Sequence, residues 1–133
     1  MLYLEIAGVT ARRHLQVARA DGAGSYTFYS GVLSLVANPS FRGAVRPDDR
    51  QPITFFVPDS ATFPTDPESI ELEMSLRRIR TTGNPNLVTF GPYEERAYIA
   101  PDPRGGEHRW LQISLQVPIS SVAAVELNYR VTV

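Results

Sequence analysis

In Val125, Leu127, Tyr129, Val131 and Val133 every odd position is apolar, and Glu126, Asn128, Arg130 and Thr132 stand between them. A period of two sustained this long is the pattern of a β-strand with one buried face and one wet face. The stretch before it repeats the pattern, with Leu111, Ile113, Leu115 and Val117 alternating with Gln112, Ser114 and Gln116. Pro118 cannot donate to a ladder, so Pro118 to Ala124 reads as a connection. A sheet with one apolar face has to be covered, and the other segments must supply the cover.

Those segments are themselves strand-like. Leu2 to Val9 and Arg13 to Arg19 read as two short strands, followed by a glycine turn at Asp21-Gly-Ala-Gly-Ser. Ser25 to Tyr29 and Val32 to Ala37 are β-branched or aromatic, with Gly31 as a break or bulge between them. Ile53 to Val57 is a short buried strand. In Ile70 to Leu76, the apolar residues Ile70, Leu72, Met74 and Leu76 alternate with Glu71, Glu73 and Ser75. Asp66-Pro67-Glu68 resembles a helix start, yet helical spacing would turn Ile70 and Met74 away from Leu72 and Leu76, so strand is the better reading. After a turn over Thr81 to Asn86, Leu87 to Phe90 and Glu95 to Ala100 are further strands, and Pro101 to His108 joins the latter to the strand near Arg109 as a hairpin. Two irregular stretches, Asn38 to Pro52 and Pro58 to Ser69, carry three prolines each and read as long loops. The sum is an all-β chain, an antiparallel β-sandwich or jelly roll of about eight to ten short strands with no helix, in one domain over residues 1–133.

Composition narrows the function classes. With 133 residues the chain can bury a real core, and a net charge of −1 provides no field to gather nucleic acid or an anionic membrane. The absence of cysteine removes disulfides, thiolate metal sites and cysteine nucleophiles together. All 13 basic residues are arginine. A G+C-rich genome explains that in part; arginine's planar fork also suits interfacial ion pairs better than an ammonium does. No apolar run approaches the ~18–20 residues of a membrane span. The start Met1-Leu-Tyr-Leu-Glu-Ile has no basic residues and so does not read as a signal peptide. The expectation is a protein kept in the cytoplasm or packaged into a particle assembled there.

Catalytic and metal chemistry find little to work with. The two histidines, His14 and His108, read as isolated exposed side chains, and an enzyme would need one of them beside a carboxylate in a pocket. No Gly-x-Ser-x-Gly elbow is present. The loop acids Asp48, Asp49, Asp59, Asp66 and Glu68 lack the spacing of a calcium loop. Glu71 and Glu73, which with Glu94 and Glu95 could be a glycosidase pair, alternate with apolar residues as a plain solvent face does. No cofactor, metal ligand or catalytic residue is therefore assigned.

Arg77-Arg78-Ile79-Arg80 is the one basic cluster, and it reads as a salt-bridged rim at a protein contact or as a solvated strand end. Trp110 shares strand parity with Gln112 and Ser114, which places the indole on the polar face; Tyr3, Tyr29 and Tyr98 also read as outward. Outward aromatics with arginines are enriched at protein contacts and also suit stacking on sugars. Three classes follow: an assembly protein, a carbohydrate- or ligand-binding module using Trp110, and an enzyme. The first fits best. Arg42, Arg46 and Arg50 in the first long loop, Arg77, Arg78, Arg80 and Trp110 are the expected partner-binding residues.

In size, β character and strands such as Val125-Glu-Leu-Asn-Tyr-Arg-Val-Thr-Val, the chain resembles the small decoration or cement proteins of tailed-bacteriophage capsids. The resemblance brings no functional residue with it. It implies a virion surface protein, dimeric or trimeric, that binds the major capsid protein across capsomer junctions and strengthens the shell.

Overall fold

A computed structural model describes residues 4–22, 24–37, 53–60, 67, 69–81, 89–91, 93–102, 105, 109–117, 119–120 and 122–133. The expected loop 38–52, most of the second loop, the turn 82–88 and His108 lie outside the described residues. The strands are β1 (Leu4–Ala18), β2 (Ser25–Ala37), β3 (Ile53–Phe56), β4 (Glu71–Thr81), β5 (Thr89–Phe90), β6 (Tyr93–Pro101), β7 (Arg109–Gln116), β8 (Ile119–Ser120) and β9 (Val122–Thr132). They form a four-stranded sheet in the order β1-β2-β9-β4, a three-stranded sheet β3-β7-β6 and a small pair β5-β8, with antiparallel neighbours throughout. The chain is an all-β sandwich, as the alternation requires. Among the described residues no helix is long and apolar enough to cross a membrane.

The core lies between the two larger sheets. Leu33, Leu35, Val125, Leu127, Tyr129 and Val131 come from one side, and Phe55, Leu111, Ile113 and Leu115 from the other, all buried. Fully burying each such side chain contributes about 1.5–3 kcal/mol. The two stretches with the clearest alternation, β7 and β9, thus supply the centre of each layer. Thr27 and Val133 exchange both backbone hydrogen bonds (2.8 and 2.9 Å), which carries the β2–β9 ladder to the last residue.

Directly paired residues in an antiparallel sheet project to the same side, so the registers define rows across the four strands. Inner rows run Val9–Leu33–Leu127–Leu76, Ile6–Leu35–Val125–Ile79, Ala11–Gly31–Tyr129–Met74 and His14–Tyr29–Val131–Leu72. Outer rows run Glu5–Val36–Ala124–Arg80, Gly8–Ser34–Glu126–Arg78, Thr10–Val32–Asn128–Ser75 and Leu15–Phe28–Thr132–Glu71.

Several sequence expectations are corrected here. The two short strands Leu2–Val9 and Arg13–Arg19 are one strand, β1, with register shifts that leave Ala7 and Arg12 as extra residues. Gly31 does not break β2, which runs unbroken from Ser25 to Ala37. A Cβ at Gly31 would stand 1.9 Å from the Thr10 carbonyl oxygen and 2.4 Å from the Tyr129 hydroxyl. The glycine is there because the Tyr129 ring crosses over it, placing Oη 3.4 Å from the Thr10 carbonyl oxygen. Tyr29 is buried rather than outward, because its row faces the core. The strand expected over Ile70–Leu76 continues to Thr81, and part of the expected connection Pro118–Ala124 is strand, as β8 and the start of β9. The Asp21–Ser25 turn is as expected: Gly22 and Gly24 have φ of 73° and 128°, and Arg19 N donates to Gly24 O at 2.9 Å.

Candidate interaction surface

The outer face of the four-stranded sheet carries an ionic region on β4 and β9 and an apolar patch at one end of β1 and β2. On β4 and β9, the side chains alternating away from the core are mostly acids and arginines, with Ser75, Ala124, Asn128 and Thr132 among them. Glu73 and Arg130 are direct cross-strand partners and form a salt bridge. Arg77 Nε donates to Glu126 Oε2 at 3.1 Å, and Asn128 Nδ2 donates to Ser75 Oγ at 3.4 Å. These groups are exposed, so each contact adds little to stability, up to about 1 kcal/mol. What they do is fix the charge pattern.

The bulge at Arg77 creates that pattern. Without an extra residue, a strand that turns Leu76 inward would turn Arg78 and Arg80 toward the core and Ile79 toward water. The register shift between Leu76 and Arg78 restores the opposite parity, so Ile79 pairs with Val125 on the inner face and Arg78 and Arg80 face outward. The sequence holds a signal for this: the apolar parity changes from even at Leu72, Met74 and Leu76 to odd at Ile79. Of the cluster, Arg77 is ion-paired, whereas Arg78 and Arg80 are exposed and make no ion pair among the described residues.

At the end of β1 and β2 that runs from Leu15 to Val17 and from Tyr26 to Phe28, the same face is apolar. Leu15 pairs with Phe28 and Val17 with Tyr26. Leu15, Val17 and Tyr26 are 36%, 41% and 44% exposed, unusual for large apolar side chains grouped together. The Arg19 guanidinium lies 5.5 Å from the Tyr26 ring centre and is held by Asp21 at 2.8 Å, so the patch ends in a paired charge. The sequence did show the Leu15/Val17 alternation, but not that the Arg12 bulge would turn it outward.

Trp110 lies on the outer face of the three-stranded sheet. It pairs with Ala100, and Phe56 and Tyr98 flank Gln112 on the same face. The indole is half-buried: its Nε1 donates to Asp102 Oδ2 at 3.3 Å, and its ring meets Phe56 edge-on at 6.1 Å. Tyr98, also half-buried, carries the Arg96 guanidinium 5.1 Å from its ring centre. The expected parity of Trp110 and Tyr98 is as found, but their neighbours partly cover both. Arg42, Arg46, Arg50 and Tyr3 lie outside the described side chains.

A cleft of about 190 Å³ opens where β1 bulges, lined by Arg12, His14, Tyr29, Asp59 and Tyr129 among others. Its far wall is the turn after β3. Ser60, fully buried, clamps that turn by donating to Val57 O (2.6 Å) and accepting from Leu111 N (3.1 Å). The clamp holds Asp59 at φ 62°, in the left-handed region. His14 is exposed and stacks on Tyr29 with ring centres 4.6 Å apart. Burial, and secondarily the Asp59 carboxylate, pushes the Tyr129 hydroxyl up to about 12. The cleft therefore brings His14 and a carboxylate into one lining, but no hydrogen bond joins them among the described residues. Nor do any three His, Asp or Glu side chains among the described residues converge to hold a metal ion. No known protein family, curated protein or solved structure matches the chain.

Proposed function

We propose that this chain is a non-enzymatic structural assembly protein, and more specifically a capsid decoration protein that binds the major capsid protein across capsomer junctions at a virion surface. The observation that carries this reading is the outer face of the four-stranded sheet, where exposed Leu15, Val17 and Tyr26 lie beside a field of ordered ion pairs. An apolar centre with an arginine-rich polar border is the usual anatomy of a protein contact. Sedimentation of the native chain from a lysate of its source through a density gradient tests it. Travel with a large particle through a salt wash is the expected result. A chain that stays at the top of the gradient overturns it.

Ligand binding is the second reading, favoured by the grouping of Phe56, Tyr98 and Trp110 on one outer face. It predicts glycan retention that Trp110→Ala abolishes. A glycan array without hits counts against it.

A further inference from the structure

The outermost strands of the four-stranded sheet, β1 and β4, each have only one hydrogen-bonded neighbour among the described residues. Four alternating antiparallel strands leave β1 and β4 running in opposite directions. A second copy laid alongside, with its sheet continuing the first, therefore sets its β1 antiparallel to β4, inner face with inner face and outer with outer.

The register agrees with the direction. From the row Val9–Leu33–Leu127–Leu76 to the row Glu5–Val36–Ala124–Arg80, the two central strands advance from Leu33 to Val36 and from Leu127 to Ala124. Over the same interval each edge strand contains one residue more, from Val9 to Glu5 and from Leu76 to Arg80, because β1 bulges at Ala7 and β4 at Arg77. A bulge on an edge normally protects it from a regular strand. Here the extra residues fall in neighbouring gaps, Ala7 between the Gly8 and Ile6 rows and Arg77 between the Leu76 and Arg78 rows, so the two edges hold equal numbers of residues and keep step from Val9–Leu76 to Glu5–Arg80. In that alignment Leu76, 50% exposed, meets Val9, and Ile79 meets Ile6, itself 38% exposed. On the outer face Arg80, which has no ion pair among the described residues, meets Glu5.

We propose that copies of this chain associate head to tail, β4 of one pairing with β1 of the next to make a continuous sheet. The contact is heterologous, so it closes into a ring or extends as a filament. The inference goes beyond the particle reading and does not rest on it, since it concerns the purified chain alone.

Analytical ultracentrifugation of the full chain over a concentration series reaching about 1 mM, where even weak specific contacts populate, tests it with two charge reversals. Wild type is expected to exceed the monomer mass. Arg80→Glu and Glu5→Arg each set like charges together and shift association to concentrations about fivefold higher or more. An equimolar mixture of the two variants is expected to recover the association, because each reversed edge finds its complement on the other chain and each unchanged edge does too. Leu76→Asp is expected to weaken association without being rescued by Glu5→Arg. Circular dichroism of each variant confirms that the fold is intact. A chain that stays monomeric throughout overturns the proposal. So does an oligomer indifferent to Glu5→Arg, since β4 pairing with itself would respond to Arg80→Glu alone.

Discussion

Gly31 and Tyr129 face each other across two strands, and each explains the other. The tyrosine ring crosses the sheet to reach the Thr10 carbonyl, and the position it crosses has no room for a Cβ. The closest atom to that absent Cβ is backbone, so a rotamer change cannot relieve the clash. Gly31→Ala is expected to cost more than about 3 kcal/mol, at the upper end for single substitutions, read as a fall in the denaturation midpoint. Tyr129 also predicts a pH dependence. Its hydroxyl is near 10 when unfolded and is raised to about 12 by burial and by Asp59. A raised folded value means the native state holds the proton more tightly. The associated stability is complete below pH 10 and is lost as the pH rises toward 12, by a few kcal/mol at most. Urea titrations between pH 9 and 12 are expected to show a steeper loss for wild type than for Tyr129→Phe, and equal slopes would refute the assignment. From sequence, Gly31 read as a break because a glycine in a strand has several explanations. The one that applies here depends on a residue 98 positions away, with no local trace.

At the scale of elements, the alternation in β7 and β9 was legible because both strands are central, so apolar parity and burial coincide over Leu111–Leu115 apart from the buried Ser114, and over Val125–Val131. The edge strands were harder. In β1 the residues around Ala7 and Arg12, and in β4 those around Arg77, each shift the parity by one, and a one-residue shift moves every following side chain to the other face. The alternation of Leu15 and Val17 therefore announced a strand correctly and left its face undetermined. Ion pairs such as Arg77–Glu126 were unreadable for the same reason: the partner sits on another strand whose register the sequence does not state. The turn after β3 gives a test at this scale. Ser60 makes the sole side-chain hydrogen bond seen between that turn and β7 among the described residues. Ser60→Ala leaves the Leu111 amide without its buried acceptor and is expected to cost about 1–3 kcal/mol. Faster amide exchange at Leu111 should accompany the loss. An unchanged exchange rate would mean that the turn is held by other contacts.

For the whole molecule, the two regions of the outer face make separable predictions about assembly. Exposed apolar residues contribute little to the folded state, so the double substitution Leu15→Glu and Val17→Glu is expected to change stability by no more than about 1 kcal/mol. The same change places two carboxylates in the middle of the proposed contact, where burial of an unpaired charge is strongly unfavourable. Particle attachment should be abolished while thermal unfolding is nearly unaltered. Replacing Arg77, Arg78 and Arg80 with serine acts on the ionic border instead. It removes the exposed Arg77–Glu126 pair, at a cost within about 1 kcal/mol, together with two cations that have no intramolecular ion pair among the described residues. Its effect on attachment should be partial and should fade in high salt, because screening weakens the wild-type contribution of those charges as well. Gradient sedimentation of both variants at low and high ionic strength separates the cases. Attachment lost with Leu15 and Val17 but retained in part with the arginines would identify the apolar patch as the centre of the contact and the arginines as its rim. The reverse result would move the centre to β4, and attachment unchanged by either variant would remove this face from the interface.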